Sequence, residues 1–233
     1  MRRIAIIGTG GVGQACASRF ITLGYEVMMG TRNVSEKLAG TERNGYGNPP
    51  FSEWHPANRN VKLGTFEEAA IFGEIILNAT LGIKSIAVLK SAGAKNLNGK
   101  ILIDVVNPLD FSKGTPPSLL PELSNTNSLG EEIQKIFPDV KVVKTLNTMW
   151  NGLMINPAML NEGDHTAFIC GNDAEAKATV REILKSFGWP EQNILDLGDI
   201  SSARGTEMHL PLWLRIFRAT GSGAFNIKIT SLR

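Results

Sequence analysis

Near its amino end the chain reads Gly8-Thr9-Gly10-Gly11-Val12-Gly13, a spacing of glycines that suits chemistry done by backbone rather than by side chains. In such a loop the first glycine permits a tight turn, the second lets the backbone come close to a pyrophosphate, and the third lets a helix pack closely on a strand. Alone the pattern is weak. Its setting strengthens it: the apolar run Arg3-Ile4-Ala5-Ile6-Ile7 precedes it, a helical stretch from Val12 to Leu23 follows, and Val27-Met28-Met29 comes next as a second strand. A helix that opens at the turn points its unpaired N–H groups and its positive dipole end at an anion. Gly8, Thr9, Gly10, Gly11, Val12 and Gly13 therefore read as the diphosphate cradle of a βαβ dinucleotide site.

The residues after the second strand choose between dinucleotides. An acid there would accept from a ribose 2′-hydroxyl and repel a 2′-phosphate. This chain has none, and offers Gly30-Thr31-Arg32-Asn33 with Ser35 and Lys37 a turn further on. A guanidinium forks onto phosphate oxygens, and a charge-assisted bond of about 1.5–3 kcal/mol would favour the phosphorylated nucleotide by roughly ten- to a hundredfold. The sequence predicts NADP(H), held at this end by Thr31, Arg32, Asn33 and Lys37. The blander reading makes Arg32 an ordinary solvated charge.

Three later loops supply the expected pocket walls. Asn78-Ala79-Thr80-Leu81-Gly82 is expected to approach the dinucleotide, Asn107-Pro108-Leu109 the nicotinamide amide, and Asn147-Thr148-Met149 a second ring. Asparagine and threonine can orient a carboxamide without bringing a charge, although they also end strands as plain turn residues. No Ser-His-Asp arrangement, His-rich cluster or paired-carboxylate motif is apparent, so no catalytic side chain and no metal ligand is assigned. Oxidation of an alcohol usually needs a positioned acid or base for the hydroxyl proton, whereas two rings exchanging hydride need orientation and exclusion of water. His55, His165 and His209 read as structural or surface residues, with His165 the outside candidate for catalysis. Cys16 and Cys170 read as small buried hydrophobes, and Arg204 with Glu207, at i,i+3, as a salt bridge.

The elements that must carry these loops alternate. Val61-Lys62-Leu63, Ile75 to Ala79, Ile101 to Val106 and Val140 to Leu146 read as further strands. Helices between them start at the cap Thr65, near Ile83, and at Ser128-Leu129-Gly130-Glu131, which has capping-box spacing. This predicts an α/β fold with a doubly wound parallel Rossmann sheet. Beyond Asn147 come a strand at Thr166 to Cys170, a helix from Ala174 to Phe187, a short strand at Ile194 to Leu197, and a last helix near 202–218 that Pro211 should kink. The chain thus divides into an NADP-binding domain, 1–147, and a small C-terminal α/β extension, 148–233, closing the crevice at the carboxyl ends of the strands. From Ala39 to Asn60 the glycines and prolines are too many for a helix or strand. Phe51, Trp54 and His55 make that segment either an ordered flap near the adenosine end or pocket rim, or a surface loop pinned by Trp54.

Composition sets the outer bounds. A chain of 233 residues with 42% hydrophobic content can bury one sizeable core. A net charge of +2, spread along the chain, leaves no nucleic-acid footprint. No apolar run approaches the roughly 18 residues of a membrane span. The expected setting is cytoplasmic, with a small-molecule acceptor as partner and neither nucleic acid nor membrane; a homo-oligomer is compatible with all of this.

Several blocks carry a family resemblance. Beside the glycine loop and Gly30-Thr31-Arg32-Asn33 they are Cys170-Gly171-Asn172-Asp173-Ala174-Glu175-Ala176, Asp196-Leu197-Gly198-Asp199-Ile200, Ala203-Arg204-Gly205-Thr206-Glu207 and Phe225-Asn226-Ile227-Lys228. Together they resemble NADPH-dependent oxidoreductases of the 8-hydroxy-5-deazaflavin (coenzyme F420) type, over nearly the whole chain. The cytosolic NADPH domains of six-transmembrane ferric reductases look similar. The resemblance implies hydride transfer between NADP(H) and a deazaflavin or flavin ring stacked on the nicotinamide, with Thr31 and Arg32 gripping the 2′-phosphate. Two other readings stay open: an NADPH-dependent reductase of a small carbonyl or imine compound, which a catalytic His165 would favour, and a non-catalytic NADPH sensor.

Overall fold

A computed structural model of the chain describes residues 2–41 and 49–232. Four consecutive buried residues of β1 (Arg3–Ile7) lead into the glycine turn and then α1 (Gly11–Thr22). β2 (Glu26–Thr31) passes into α2 (Val34–Ala39), whose cap Asn33 accepts from the Glu36 N–H. α3 (Phe51–Ala57), β3 (Val61–Thr65) and α4 (Phe66–Phe72) follow, the last opened by a reciprocal capping box between Thr65 and Glu68. Next come β4 (Ile75–Asn78), α5 (Gly82–Ala92), the single turn α6 (Ala94–Leu97) and β5 (Ile101–Asp104). The short antiparallel pair β6 (Leu109–Asp110) and β7 (Ser118–Leu119) precedes α7 (Leu129–Ile136) and β8 (Lys141–Thr145). α8 (Asn151–Ile155), β9 (Ala167–Cys170), α9 (Ala174–Phe187), β10 (Ile194–Asp196) and α10 (Ala203–Thr220), which continues through Pro211, complete the order.

The main sheet runs β10-β9-β8-β5-β4-β1-β2-β3. Its inner part is the doubly wound parallel arrangement expected from the alternation of strands and helices, with the order reversing between β1 and β4. Side chains of a strand alternate between faces, and β1 shows both faces covered. Ile4 and Ile6 join a core with Phe20, Leu77, Val143 and Trp189, while Ala5 and Ile7 join a second core with Ile76, Leu89 and Leu102. Each fully buried Leu, Ile or Phe contributes about 1.5–3 kcal/mol relative to exposure. That is why apolar runs, rather than alternating ones, mark these strands.

The structure departs from expectation at two points. β9 pairs with β8 antiparallel and β10 then runs parallel to β9. The connection after β8 holds only the five-residue α8 and single 3-10 turns rather than a crossover helix packed on the sheet, and β9 starts beside the end of β8, Thr145 pairing with Ile169. Within the segment from Ala39 to Asn60, read as neither helix nor strand, Phe51–Ala57 is helical. Its prolines sit where a helix tolerates or ends on them, Pro50 at the cap and Pro56 in the last turn, and Phe51 is buried beneath. Residues 42–48 of the expected flap lie outside the described residues. Among the described residues no helix is long and apolar enough to cross a membrane, and no group of three His, Cys, Asp or Glu could hold a metal ion.

Candidate functional site

At the topological switch point, where ligands of such sheets bind, the three glycines of the loop differ in what confines them. Gly8 has φ +123°, and a Cβ there would lie 2.4 Å from the Ala79 carbonyl oxygen; both conformation and space demand glycine. At Gly13 a Cβ would lie 2.5 Å from the Gly8 carbonyl oxygen, so α1 packs on β1 only without one. Gly10 is unlike either, since its backbone is ordinary extended chain, φ −76°, and no protein atom lies within 4 Å of a Cβ built on it. Nothing in the protein requires glycine there. A ligand pressed against the backbone would. α1 begins at this point with no side-chain cap and no acid in its first turn, leaving its N–H groups to an anion. Two contacts that sequence reasoning missed brace the loop: Gln14 Nε2 donates to the Thr9 carbonyl at 3.0 Å, and Asn151 Nδ2 to the Gly11 carbonyl at 3.1 Å.

The end of β2 lies beside this loop, the Gly8 N–H donating to the Gly30 carbonyl at 3.2 Å. Thr31 is buried and Arg32 exposed, and no hydrogen bond or ion pair engages Arg32 among the described residues. Asn33 spends its side-chain oxygen on capping α2. Lys37 leans over the Phe51 ring, 5.6 Å from its centre, and His55 stacks on the same ring. Glycine cradle, uncapped helix start and acid-free β2 end fit a phosphorylated dinucleotide.

Loops after β4, β5 and β8 interlock beside the cradle. Gly82 is approached so closely by the Asn107 carbonyl that a Cβ would be 2.0 Å from it. Asn107 and Asn147 pair through Nδ2–H donors in both directions, Asn107 to the Asn147 carbonyl at 2.7 Å and Asn147 to Asn107 Oδ1 at 2.9 Å. Leu146, at φ +59°, turns the chain out of β8 in a conformation that a branched side chain rarely adopts. Thr80 donates its hydroxyl to Asn78 Oδ1 at 2.9 Å. Ala79, next to it, touches Gly8, and Pro108 is buried behind Asn107. The three loops thus lie against one another at the carboxyl ends of β4, β5 and β8.

Beneath these loops lies a charged group absent from the sequence reading. Lys144, on β8, is 1% exposed and reaches Asp104 Oδ2 at 2.8 Å and Glu207 Oε1 at 2.7 Å. Burial alone lowers its pKa, but the two carboxylates outweigh burial and hold it above the ordinary value. Glu207 also accepts from the N–H groups of Leu129 and Gly130 at the start of α7. The expected Arg204–Glu207 salt bridge is therefore incorrect: Glu207 turns inward to the ammonium and the helix start, while Arg204 forks onto Glu131 at 2.8 and 2.6 Å. Burial raises the Glu131 pKa, and the bonds from Arg204 and Ser128 more than reverse it. A lysine inside an apolar strand and an aspartate ending another were the available signals. Their partners lay too far away in sequence to name.

His165 has no route to catalysis. It is 2% exposed, with Nε2 bonded to the Pro157 carbonyl, Nδ1 to Asn226, and its ring edge-on to Trp189. Cys16 and Cys170 are buried, and burial pushes each thiol up to about 12, so neither is a nucleophile near neutrality.

Comparison with known proteins agrees with the geometry. Residues 3–108 match the family described as NADP oxidoreductase, coenzyme F420-dependent. A crystal structure of a candidate F420-dependent NADP reductase from Arthrobacter sp. FB24 is 50% identical, with TM-score 0.92 over 99% of this chain and 100% of that one. Metalloreductase STEAP3 of Rattus norvegicus is 29% identical over 214 residues, 91% of this chain but 37% of its own length. An imine reductase of Myxococcus stipitatus in complex with NADP+ shares the fold at 15% identity, TM-score 0.63, over 93% of this chain and 63% of that one. Because half of its residues recur along the whole of the Arthrobacter chain, on a fold whose cradle suits the cofactor, the chain belongs to the coenzyme F420-dependent NADP oxidoreductase family and is an NADP-dependent oxidoreductase.

Proposed function

We propose that this enzyme transfers hydride between NADP(H) and an 8-hydroxy-5-deazaflavin, or a flavin-like ring, laid against the nicotinamide. The observation that carries the nucleotide half is Gly10, a glycine that no protein atom and no backbone angle requires. In this reading Gly8 to Gly13 and the start of α1 hold the diphosphate, and Thr31, Arg32, Asn33 and Lys37 surround the 2′-phosphate. Ala79 and Thr80 wall the nicotinamide side, with Asn107 and Pro108 orienting its amide; Asn78, expected beside them, is completely buried and serves only to hold Thr80. Residues 1–147 form the nucleotide-binding part, and 148–233 close the crevice.

When bound, the nicotinamide and the acceptor ring supply the redox chemistry themselves. The protein's part is orientation and dryness. That suits a crevice bordered by amides and hydroxyls, with the one histidine that could have served a carbonyl reductase locked in structural bonds. The family name supports the deazaflavin as acceptor. The test is steady-state oxidation of NADPH, beside NADH, with deazaflavin, FMN, FAD and a carbonyl panel. Turnover with the ring acceptors is expected; turnover with carbonyls alone would overturn the acceptor. Replacing Arg32 by Ala should weaken NADPH roughly ten- to a hundredfold and leave NADH nearly unchanged, and equal losses would remove the 2′-phosphate assignment.

A further inference from the structure

Strand register sets Asn78 beside Asp104 and Asp104 beside Lys144, in one row across β4, β5 and β8. Asn78 and Asp104 are completely buried, as is Ser85 next to them. Strands covered on both faces are ordinarily apolar throughout, and buried charges are tolerated only where geometry and hydrogen bonding are complete. Here they are complete. The three protons of the Lys144 ammonium meet three acceptors: Asp104 Oδ2, Glu207 Oε1 and the Val106 carbonyl. Asp104 Oδ1 accepts from Asn78 Nδ2 at 2.9 Å, and the same Nδ2 donates to Ser85 Oγ at 2.7 Å.

Both amide protons of Asn78 are thereby used, one within the sheet and one on α5, so its oxygen faces the loop and takes the Thr80 hydroxyl. An ionised carboxylate only accepts. Paired with Lys144, Asp104 therefore holds the Asn78 amide in one of its two orientations. Without the ammonium, nothing holds that carboxylate opposite the amide nitrogen, and the amide can turn over and present N–H groups to Thr80 instead. The loop concerned roofs the glycine cradle, since Ala79 sits against Gly8.

We propose that Lys144 is a positioning residue for the dinucleotide: through Asp104 and Asn78 its charge sets the Thr80 hydroxyl and the 78–82 loop, and through Glu207 it couples that loop to α10. This rests on the dinucleotide reading above. The test combines hydrogen exchange of the nucleotide-free protein with NADPH titration, in the wild type, Lys144→Met, Thr80→Val and the double variant. In Lys144→Met the amides of 79–82 lose about tenfold more protection than those of β1, whose own loss follows the global destabilisation. NADPH binding weakens about tenfold, the scale of one lost buried hydrogen bond, and the double variant is no worse than Lys144→Met alone, because both changes remove the same contact. Exchange at 79–82 that rises no more than at β1, or losses that multiply, would overturn the proposal. Should Lys144→Met not fold, Glu207→Gln keeps the volume and an acceptor for α7 while removing one charge; faster exchange at 79–82 supports the coupling and unchanged exchange overturns it. A wild type that does not bind NADPH would refute the dinucleotide reading, and the exchange measurement would still decide the role of Lys144.

Discussion

Exchanging glycine for alanine at three places should have three different outcomes. In a helix interior the change ordinarily stabilises by about 0.5–1 kcal/mol. Gly205, in α10, is exposed with no heavy atom within 4 Å of a Cβ, so Gly205→Ala should raise Tm by about 2–4 °C in a chain of this size. Gly13 is also helical, but its Cβ would lie 2.5 Å from the Gly8 carbonyl oxygen, 3.1 Å from Met29 Cε and 3.3 Å from Ile6 Cγ2. The methionine can yield; the carbonyl is backbone and cannot. Overpacking of about 1–3 kcal/mol then exceeds the helical gain, and Gly13→Ala should lower Tm by about 2–6 °C and move the start of α1 from its anion. Gly10→Ala meets no protein atom, so Tm should stay within about 2 °C of the wild type while NADPH affinity falls more than tenfold, the methyl standing where the diphosphate must lie. Thermal unfolding with and without NADPH, beside calorimetric titration, reads both quantities. If Gly13→Ala stabilises like Gly205→Ala, the close approach of α1 to the loop is wrong. If Gly10→Ala binds NADPH normally, the cradle is elsewhere.

Two further outcomes follow from the charges and caps. Because the Lys144 pKa stands above its ordinary 10.5, its ion pairs stabilise fully below that value and are lost as pH rises through the folded pKa; urea unfolding should show stability falling on this alkaline limb in the wild type. The same limb should be flatter in Lys144→Met, which starts about 3–5 kcal/mol less stable because two buried carboxylates lose their counter-ion. Thr65→Ala removes the capping box of α4 and should cost about 1 kcal/mol in urea unfolding; an unchanged midpoint would contradict the cap.

The βαβ start, the glycine loop and the missing acid after β2 were legible because each depends on neighbours along the chain. Turn conformation, helix start and strand burial follow from residues within a few positions, and Gly8 to Gly13 with Thr31 and Arg32 stand where that spacing put them. The outline of later strands was legible for the same reason, apolar runs being the mark of strands covered on both faces.

What only the tertiary structure decided involves partners brought together by strand order. Arg204 and Glu207 look like a pair at i,i+3, yet Glu207 answers Lys144 and the start of α7 while Arg204 answers Glu131, more than 60 residues away. Phe51–Ala57 is helical despite its prolines because burial of Phe51 outweighs weak propensity. The reversal of β9 goes with a connection that holds no long crossover helix. Local spacing fixes what a segment can form, whereas the crossing order of β4, β5 and β8 decides which buried charge meets which; Lys144 and Asp104, 40 residues apart, become neighbours only when those strands lie side by side.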